Sequence, residues 1–410
     1  MNTSKQRIKN LVSQQEALNI VKDIVMIPSH QGYPKREKPV AEYLLKLFES
    51  EGIEAYLQEV YPGRPNVVAK IPGTGRGRSL MFNGHIDTVP PNGMDHPFDG
   101  MIKDGKLYGR GSADMKSGVG TMAYAMILLK RAGVKLKGDL IYIGVIDEDA
   151  AGSAGTRYIV KNGPLTDFAI VGEPTSLEPV IAHKGIDYFE VTFHGKSVHS
   201  SVPENGVNAI LAAGEFISRV ENELMPEYSA KIHHLCGAPT INVGLIQGSA
   251  KANAQYLLGK VETFAGIIPD VCKVFIDVRW TPDQTIEKVE RDIRNIACKV
   301  ESNREGISAE TVYIPMPRPA MEIDADNELV RSIISNSKET LGKECRVKGE
   351  KYWGDSGLLY GISKIPTIMY GPGDIGCAHA DIEWVETEQL AKAAEVYAMT
   401  AIDICGVEEE

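Results

Sequence analysis

The sequence lacks long apolar runs. No stretch approaches the ~20 consecutive apolar residues that a membrane-spanning helix needs. The amino-terminal segment MNTSKQRIKN carries positive charge, but it is not followed by the apolar stretch of a secretory signal peptide. We therefore expect neither a membrane association nor a signal peptide, and we predict a cytoplasmic protein.

Cysteine is scarce and irregularly spaced. The six cysteines of the 410-residue chain form no Cys-x-x-Cys pair, the spacing from which thiolate zinc sites and redox motifs are built. Scattered cysteines in a chain of this length indicate reduced thiols rather than a disulfide framework. A metal ion in this protein must therefore rely on histidine and carboxylate ligands.

Basic residues are in the minority. Lysine and arginine number 44 against 55 aspartates and glutamates, which gives a net charge of −11. Surfaces that bind nucleic acid or anionic membranes need clustered basic residues. The balance argues against both partners and favours a small-molecule substrate.

The length and the order of predicted elements indicate two domains. A chain of 410 residues exceeds the usual size of a single hydrophobic core. Residues 1–184 alternate predicted helices and strands, which is typical of an α/β layer with a mainly parallel sheet. Residues 185–314 follow the order β-α-β-β-α-β of a ferredoxin-like α+β domain. Because the α/β pattern returns in residues 315–410, the second domain is predicted to interrupt the first.

Two local predictions concern the amino-terminal part of the chain. The first ten residues are polar, and we expect them to be disordered. The glycine-rich segment PGTGRGR, residues 72–78, separates the predicted strands 66–71 and 79–84. Short strands around such a segment predict a hairpin-like connection.

Polar side chains recur where predicted strands end. His85 and Asp87 have the period-two spacing that points side chains the same way, and Asp87 is placed to orient His85 if the imidazole binds a metal ion. Asp147, Glu148 and Asp149 follow an apolar strand. Adjacent acids can divide coordination and general-base catalysis between them. The structural alternatives are a polar strand end and a solvated run of charges.

Three further candidates complete the pattern. Asp114 lies in a glycine-dense loop before a predicted buried helix, where its carboxylate could bridge two ions or cap the helix. Glu173 ends another strand, and His379 lies in a loop rich in glycine and proline after the last strand. Together, these nitrogen and oxygen ligands suit two divalent ions of the zinc, cobalt or manganese type.

Five motifs carry a resemblance to a known family. In chain order they are GHIDTVPP, YGRGSADMKSG, IDED, VGEPT and GPG followed by AH, and they extend from Gly84 to His379. They resemble the M20 family of metallopeptidases and deacylases, which includes acetylornithine deacetylase, succinyl-diaminopimelate desuccinylase, carboxypeptidase G2-like enzymes and aminoacylase. The resemblance implies a metal-dependent amidohydrolase in which residues 1–184 and 315–410 form the catalytic domain.

The resemblance also implies roles for the candidate residues. The implied ligands of two divalent ions, zinc foremost and cobalt or manganese as alternatives, are His85, Asp114 as the bridge, Asp149, Glu173 and His379. Glu148 is the implied general base on a metal-activated water, and Asp87 the residue that orients His85. One departure is that the family commonly has two glutamates where this chain has Glu148 and Asp149.

The interrupting domain resembles the family's lid and dimerisation domain. The segment HGKSVHSSVP resembles a motif whose second histidine, here His199, reaches the active site of the partner subunit and stabilises an oxyanion. A packed or surface histidine is the alternative. Asn253 and Arg279 match positions that hold the substrate's carboxylate, although Arg279 would equally suit a structural ion pair. Gly354 lies in a segment that resembles the substrate-facing loop.

Taken together, the sequence predicts a homodimeric amidohydrolase that cleaves the amide bond of an N-acyl amino acid or small peptide. A dipeptidase, an aminopeptidase and a carboxypeptidase are the nearest alternatives. A metal-binding scaffold without turnover is an alternative of another class. The intact Glu148 argues against that scaffold, because mere metal binding needs no acid beside the ligands.

Overall fold

The structure is a computed structural model that describes residues 3–150, 152–250 and 266–408. It divides into two compact units. The first comprises Met1–Ala182, Met321–Gly349 and Gly354–Glu410, and the second comprises His183–Ala320 and Glu350–Trp353. The chain thus leaves the first unit after Ala182 and returns to it at Met321.

Helices and strands are interspersed along the described chain. The helices are α1 (Thr3–Leu11), α2 (Gln14–Val25), α3 (Lys38–Ser50), α4 (Lys116–Arg131), α5 (Ala154–Asn162), α6 (Ala209–Arg219), α7 (Met225–Ser229), α8 (Ile286–Asn303), α9 (Glu328–Leu341), α10 (Ser356–Gly361) and α11 (Thr387–Cys405). The strands are β1 (Glu54–Tyr61), β2 (Arg64–Ile71), β3 (Leu80–His85), β4 (Met101–Lys103), β5 (Lys106–Tyr108), β6 (Leu140–Val145), β7 (Phe168–Val171), β8 (Val180–His183), β9 (Gly185–His194), β10 (Thr240–Ser249), β11 (Val271–Trp280), β12 (Ser308–Arg318), β13 (Met321–Glu322), β14 (Lys348–Glu350), β15 (Thr367–Met369) and β16 (Trp384–Glu386).

The first unit is built around a nine-stranded sheet with the order β1-β2-β6-β3-β7-β15-β8-β13, in which β14 also pairs with β8. Its central strands β6, β3, β7 and β15 are parallel neighbours. Every residue of β3, β6 and β7 is buried, as expected for strands covered on both faces. The predicted mainly parallel α/β fold is confirmed.

Helix α4 brings two functional loops together. Nearly all of its residues are buried, and its first turn packs directly against the end of β7. A Cβ atom at Gly118 would collide with the carbonyl oxygen of Gly172. Because only glycine permits so close an approach, the loop before α4 lies beside the loop that follows β7.

The second unit has the element order β9-α6-α7-β10-β11-α8-β12, in which the five-residue helix α7 follows α6. Its antiparallel sheet has the strand order β10-β11-β9-β12, which is the ferredoxin-like arrangement. Side chains from the sheet and from α6 and α8 form its core, among them Phe189, Phe193, Phe216 and Ile293. The predicted ferredoxin-like α+β class is also confirmed.

Two local predictions are wrong. Residues Thr3–Leu11 are helical rather than disordered, because Ile8 is buried and the Lys5 ammonium donates hydrogen bonds to Asn336 and Asp403. Strands β2 and β3 do not form a hairpin, since β6 lies between them. Among the described residues, no helix combines the length and apolar character that crossing a membrane requires.

Candidate metal centre

The predicted metal ligands lie in the first unit, at the carboxyl ends of neighbouring strands. His85 is the last residue of β3, Asp149 follows β6, and Glu173 follows β7. His379 lies in the loop after β15, and Asp114 lies just before α4. Because parallel strands end at the same edge of a sheet, these segments converge, as ligand-binding loops do in α/β sheets.

His85, Asp114 and Glu173 form the first ligand group. Each offers one potential ligand atom, and these atoms lie within 4.8 Å of one another. All three residues are buried. The His85 Nε2 atom lies 3.0 Å from Asp114 Oδ1, so one imidazole nitrogen and two carboxylates face a common point.

Asp114, Asp149 and His379 form the second group, again with their ligand atoms within 4.8 Å. The His379 Nε2 atom lies 3.0 Å from Asp149 Oδ1 and 3.2 Å from Asp114 Oδ2. Asp114 therefore turns one oxygen towards each histidine and belongs to both groups. This is the arrangement that a bridging carboxylate requires.

Glu148 stands beside both groups. It forms a third set of neighbouring ligand atoms with His85 and Asp149. Its backbone N–H donates to Asp87 Oδ1 at 3.1 Å, and the N–H of Ala150 donates to Asp87 Oδ2 at 3.4 Å. The loop that carries Glu148 is thus fixed by a buried carboxylate.

This use of Asp87 differs from the sequence interpretation, which gave its carboxylate the task of orienting His85. The His85 Nδ1–H donates to the backbone carbonyl of Asp87 at 3.0 Å, whereas the Asp87 carboxylate is 3.8 Å away. The carbonyl fixes the imidazole with Nε2 as the free ligand atom. The carboxylate holds the Glu148 loop instead.

The crowding of acids is visible in their proton affinities. Burial raises the pKa of Glu148 well above its ordinary value. The charge of His85 lowers this pKa, whereas the charges of Asp355 and Glu173 raise it further. Burial likewise raises the pKa of Glu173, and the charge of Asp114 raises it further. Burial also raises the pKa of Asp87 to about 7. Removal from water and mutual repulsion thus disfavour several negative charges here.

In the histidines and in Asp114, hydrogen bonds and neighbouring charges instead favour the charged form, so the pKa values of His85 and His379 rise and that of Asp114 falls. Burial raises the pKa of Asp114, but hydrogen bonds to His379 and His85 outweigh burial and hold this pKa below its usual range. Hydrogen bonds to Asp114 and Asp149 raise the pKa of His379 to about 10. The carboxylates thus attract positive charge to the positions of the two Nε2 atoms. Nitrogen and oxygen donors with excess negative charge fit divalent cations.

The sequence interpretation missed a further acid, Asp355. It is buried and accepts a hydrogen bond from the Thr156 hydroxyl at 2.6 Å. Its charge acts on both Glu148 and Glu173. The sequence feature that could have indicated Asp355 is the segment Gly-Asp-Ser-Gly, residues 354–357, of which only Gly354 was predicted to face the substrate. A Cβ atom at Gly354 would lie 3.4 Å from Glu173 Oε1, so the whole segment borders the metal centre.

The remaining predicted residues lie elsewhere. Asn253 is outside the described residues. Arg279, in the second unit, pairs with Asp277 through Nε–Oδ1 and Nη2–Oδ2 distances of 3.1 and 3.3 Å. His199, also in the second unit, is exposed, and the Ser201 N–H donates to its Nδ1 atom at 3.1 Å.

The mainly parallel α/β fold and the two ligand groups fit a metal-dependent hydrolase. The family model described as peptidase family M20/M25/M40 matches residues 81–403, and the chain belongs to this family. The chain is accordingly a hydrolase that acts on amide bonds.

Curated relatives extend over nearly the whole chain. An acetylornithine deacetylase from Salmonella typhimurium is 31% identical over 367 residues, which cover 87% of this chain and 88% of the relative. A probable succinyl-diaminopimelate desuccinylase from Staphylococcus epidermidis is 29% identical over 412 residues, with 94% and 97% covered. The crystal structure of a Bacillus cereus aminopeptidase superposes with a TM-score of 0.76 at 21% identity, over 96% of this chain and 99% of that one. This last likeness concerns the fold.

Proposed function

We propose that the chain is a homodimeric dinuclear deacylase that releases the amino acid from an N-acyl amino acid. Two relatives that match most of its length bear the names of a deacetylase and a desuccinylase. The two ligand groups that share Asp114 support a pair of ions. Zinc is the proposed metal, because it favours mixed histidine and carboxylate ligands, and cobalt or manganese would be accepted by the same donors.

The proposed ligands are His85, Asp114 and Glu173 for one ion, and Asp114, Asp149 and His379 for the other. When bound, such ions polarise a carbonyl oxygen and make a water molecule more acidic. The protein residues hold the ligand atoms at fixed spacing. His85 is oriented by the Asp87 carbonyl, and Asp149 by the Val89 N–H, which donates to its Oδ2 at 2.9 Å.

The observation that carries the proposal is the position of Glu148. Its carboxylate lies within 4.8 Å of ligand atoms of His85 and Asp149, although the two ligand groups sharing Asp114 are complete without it. We assign it the transfer of a proton from the attacking water to the departing amine. General-base catalysis requires a positioned carboxylate within reach of the nucleophile. The Asp87 carboxylate supplies the positioning.

His199 is the proposed donor to the oxyanion. Because the Ser201 N–H donates to Nδ1, the neutral imidazole carries its proton on Nε2, where it can donate outward. We propose that it serves the active site of the partner subunit. Hydrogen-bond donors aimed at developing negative charge are a major source of rate enhancement.

The second unit offers a surface for the proposed dimer. Among the described strands, β10 is at the edge of its sheet, and Leu245 on this strand is 53% exposed. Leu211 on α6 is 59% exposed. Apolar residues along an open strand edge favour pairing with a second copy. We propose that two subunits associate through β10 and α6.

Two residues remain proposed substrate contacts. Arg279 is already paired with Asp277, so a substrate carboxylate would share its guanidinium with that acid. Gly354 is buried beside Glu173 and Met369, and we propose that the loop it belongs to contacts the substrate. We also propose a cytoplasmic location, because the six cysteines are free thiols.

A substrate panel tests the deacylase against its alternatives. The purified chain, reconstituted separately with Zn²⁺, Co²⁺ and Mn²⁺, is assayed on N-acetyl, N-succinyl and N-formyl amino acids and on dipeptides with free or blocked amines. We expect turnover of the N-acyl amino acids. A strict requirement for a free α-amine would replace the deacylase with a peptidase. Stoichiometric metal binding without hydrolysis of any amide would favour the scaffold.

A further inference from the structure

Glu383 is a buried acid that touches the metal-site loop without belonging to a ligand group. It is 1% exposed. Its Oε2 atom accepts hydrogen bonds from Arg110 Nη1 at 2.6 Å and from the Gly111 N–H at 3.1 Å. Its Oε1 atom accepts from the N–H groups of Ala113 at 2.9 Å and Asp114 at 3.0 Å. One carboxylate thus satisfies three backbone donors of the loop that carries Asp114.

Arg110 connects this loop to the loop of the second histidine. Its side chain is 1% exposed, like that of Glu383. Besides its ion pair, it donates through Nη2 to the backbone carbonyl of Ala380 at 3.1 Å. Ala380 directly follows His379. The pair therefore ties the segment 110–114 to the segment 379–383.

We propose that Arg110 and Glu383 are positioning residues that hold Asp114 and His379 at the spacing needed for metal binding. The inference rests on the metal centre proposed above. Neither residue belongs to a possible ligand group among the described residues. Partners that orient metal ligands act on affinity without touching the ion.

The chemistry of the pair explains why neutral replacements cannot do the same. A carboxylate accepts hydrogen bonds at both oxygens, and the four donors around Glu383 use both. In Glu383→Gln, one of these oxygens becomes an amide NH₂ that faces donors. The substitution also leaves the Arg110 charge buried without its partner, which destabilises a fold.

The test must separate positioning from simple stabilisation. Glu383→Gln and Arg110→Met each leave a buried charge unpaired, whereas the double variant leaves none. If the pair only stabilises the fold, the double variant should recover metal affinity together with thermal stability. If the pair positions ligands, the double variant should be stable and still bind metal weakly.

The matched control is Asn336→Ala. Asn336 is a buried residue of the same unit whose side chain donates to Ser332, Thr400 and Asp403, away from the ligand loops. Its replacement should lower the melting temperature and leave metal binding unchanged. A loss of stability by itself would then be shown to have no effect on affinity.

Metal-free protein of full length is titrated with Co²⁺, and binding is followed by calorimetry and by visible absorption, which reports ligand geometry. We expect Co²⁺ to bind about 10- to 100-fold more weakly to Glu383→Gln and to the double variant, with an altered spectrum. Wild-type affinity and spectrum in the double variant would overturn the inference. Failure of the wild-type chain to bind Co²⁺ would instead overturn the metal centre itself.

Discussion

Asp149 and His379 lie 230 positions apart in the sequence, yet Asp149 Oδ1 is 3.0 Å from His379 Nε2. The other oxygen of Asp149 accepts the Val89 N–H at 2.9 Å. This aspartate stands where the M20 family commonly has a glutamate. Its shorter side chain reaches the histidine because the loop after β6 is held close to the end of β3.

We predict that Asp149→Ala lowers the metal content from about two ions to about one per chain, because only Asp114 and His379 remain in the second group. Asp149→Glu should retain two ions with weaker affinity, since the longer side chain cannot keep both contacts. Elemental analysis of dialysed protein measures the content. An unchanged content in Asp149→Ala would remove this residue from the ligand set.

Glu148→Gln should retain its metal and lose about 10²- to 10⁴-fold in kcat, the usual contribution of a general base. The amide has nearly the same shape as the carboxylate but cannot take the proton from water. Steady-state kinetics on the best substrate of the panel and elemental analysis provide the two readouts. Glu49→Gln, which makes the same change at an exposed acid on α3, is the control and should behave as the wild type. Activity close to wild type in Glu148→Gln would refute the assignment.

A mixture of two inactive variants tests the role of His199 across subunits. Glu148→Gln provides an intact His199, and His199→Ala provides an intact Glu148. After exchange of subunits, half of the sites in each mixed dimer contain both residues if His199 acts in the partner's site. About a quarter of wild-type activity should therefore return in an equimolar mixture.

The same mixture has two controls. Each variant incubated alone should stay inactive. Leu211→Glu, introduced into both variants, places a charge on the exposed face of α6 and should prevent both dimerisation and recovery of activity. If mixing restores nothing although mixed dimers form, His199 does not act in trans.

Asp187 in the second unit leads to a prediction about pH. Burial raises the pKa of Asp187 to about 6, although Tyr313 and Trp280 donate hydrogen bonds to it and the charge of Arg318 opposes the rise. Because this pKa lies above that of the unfolded chain, the contribution to stability is present below pH ~4 and is lost as the pH rises through about 6.

Relative to Asp187→Asn, the wild type should therefore lose up to about 3 kcal/mol of unfolding free energy between pH 4 and pH 7. The asparagine cannot ionise, so its hydrogen bonds do not change over this range. Urea unfolding of both proteins at several pH values measures the difference. A difference that is constant with pH would contradict the raised pKa.

Most residues of the proposed metal centre could be predicted from the sequence because they lie at the ends of apolar runs. His85 is the last residue of a buried strand, Asp149 and Glu173 follow buried strands, and parallel strands bring their carboxyl ends together. The position of Asp114 between the two ligand groups is likewise consistent with the predicted bridge. Local patterning could therefore indicate these residues as candidates, since strand ends are local features.

The contacts that orient these residues could not be predicted. The sequence shows that Asp87 lies two positions after His85, but not that its carbonyl rather than its carboxylate meets the imidazole. Glu383 belongs to none of the five motifs, and its donors lie about 270 positions earlier. The same reason explains the wrong hairpin, since β6 separates β2 and β3 only through pairing over long sequence distances.

The place of β15 in the sheet has a consequence for biosynthesis. This strand pairs with both β7 and β8, yet it is translated after the whole second unit. After β7 and β8 have been synthesised, the strand edges that will pair with β15 stay unpaired until the segment around Ile368 has left the ribosome. His379 emerges later still. The second ligand group can therefore assemble only after the segment around His379 has left the ribosome, and a chain truncated before this segment exposes unpaired strand edges that favour aggregation.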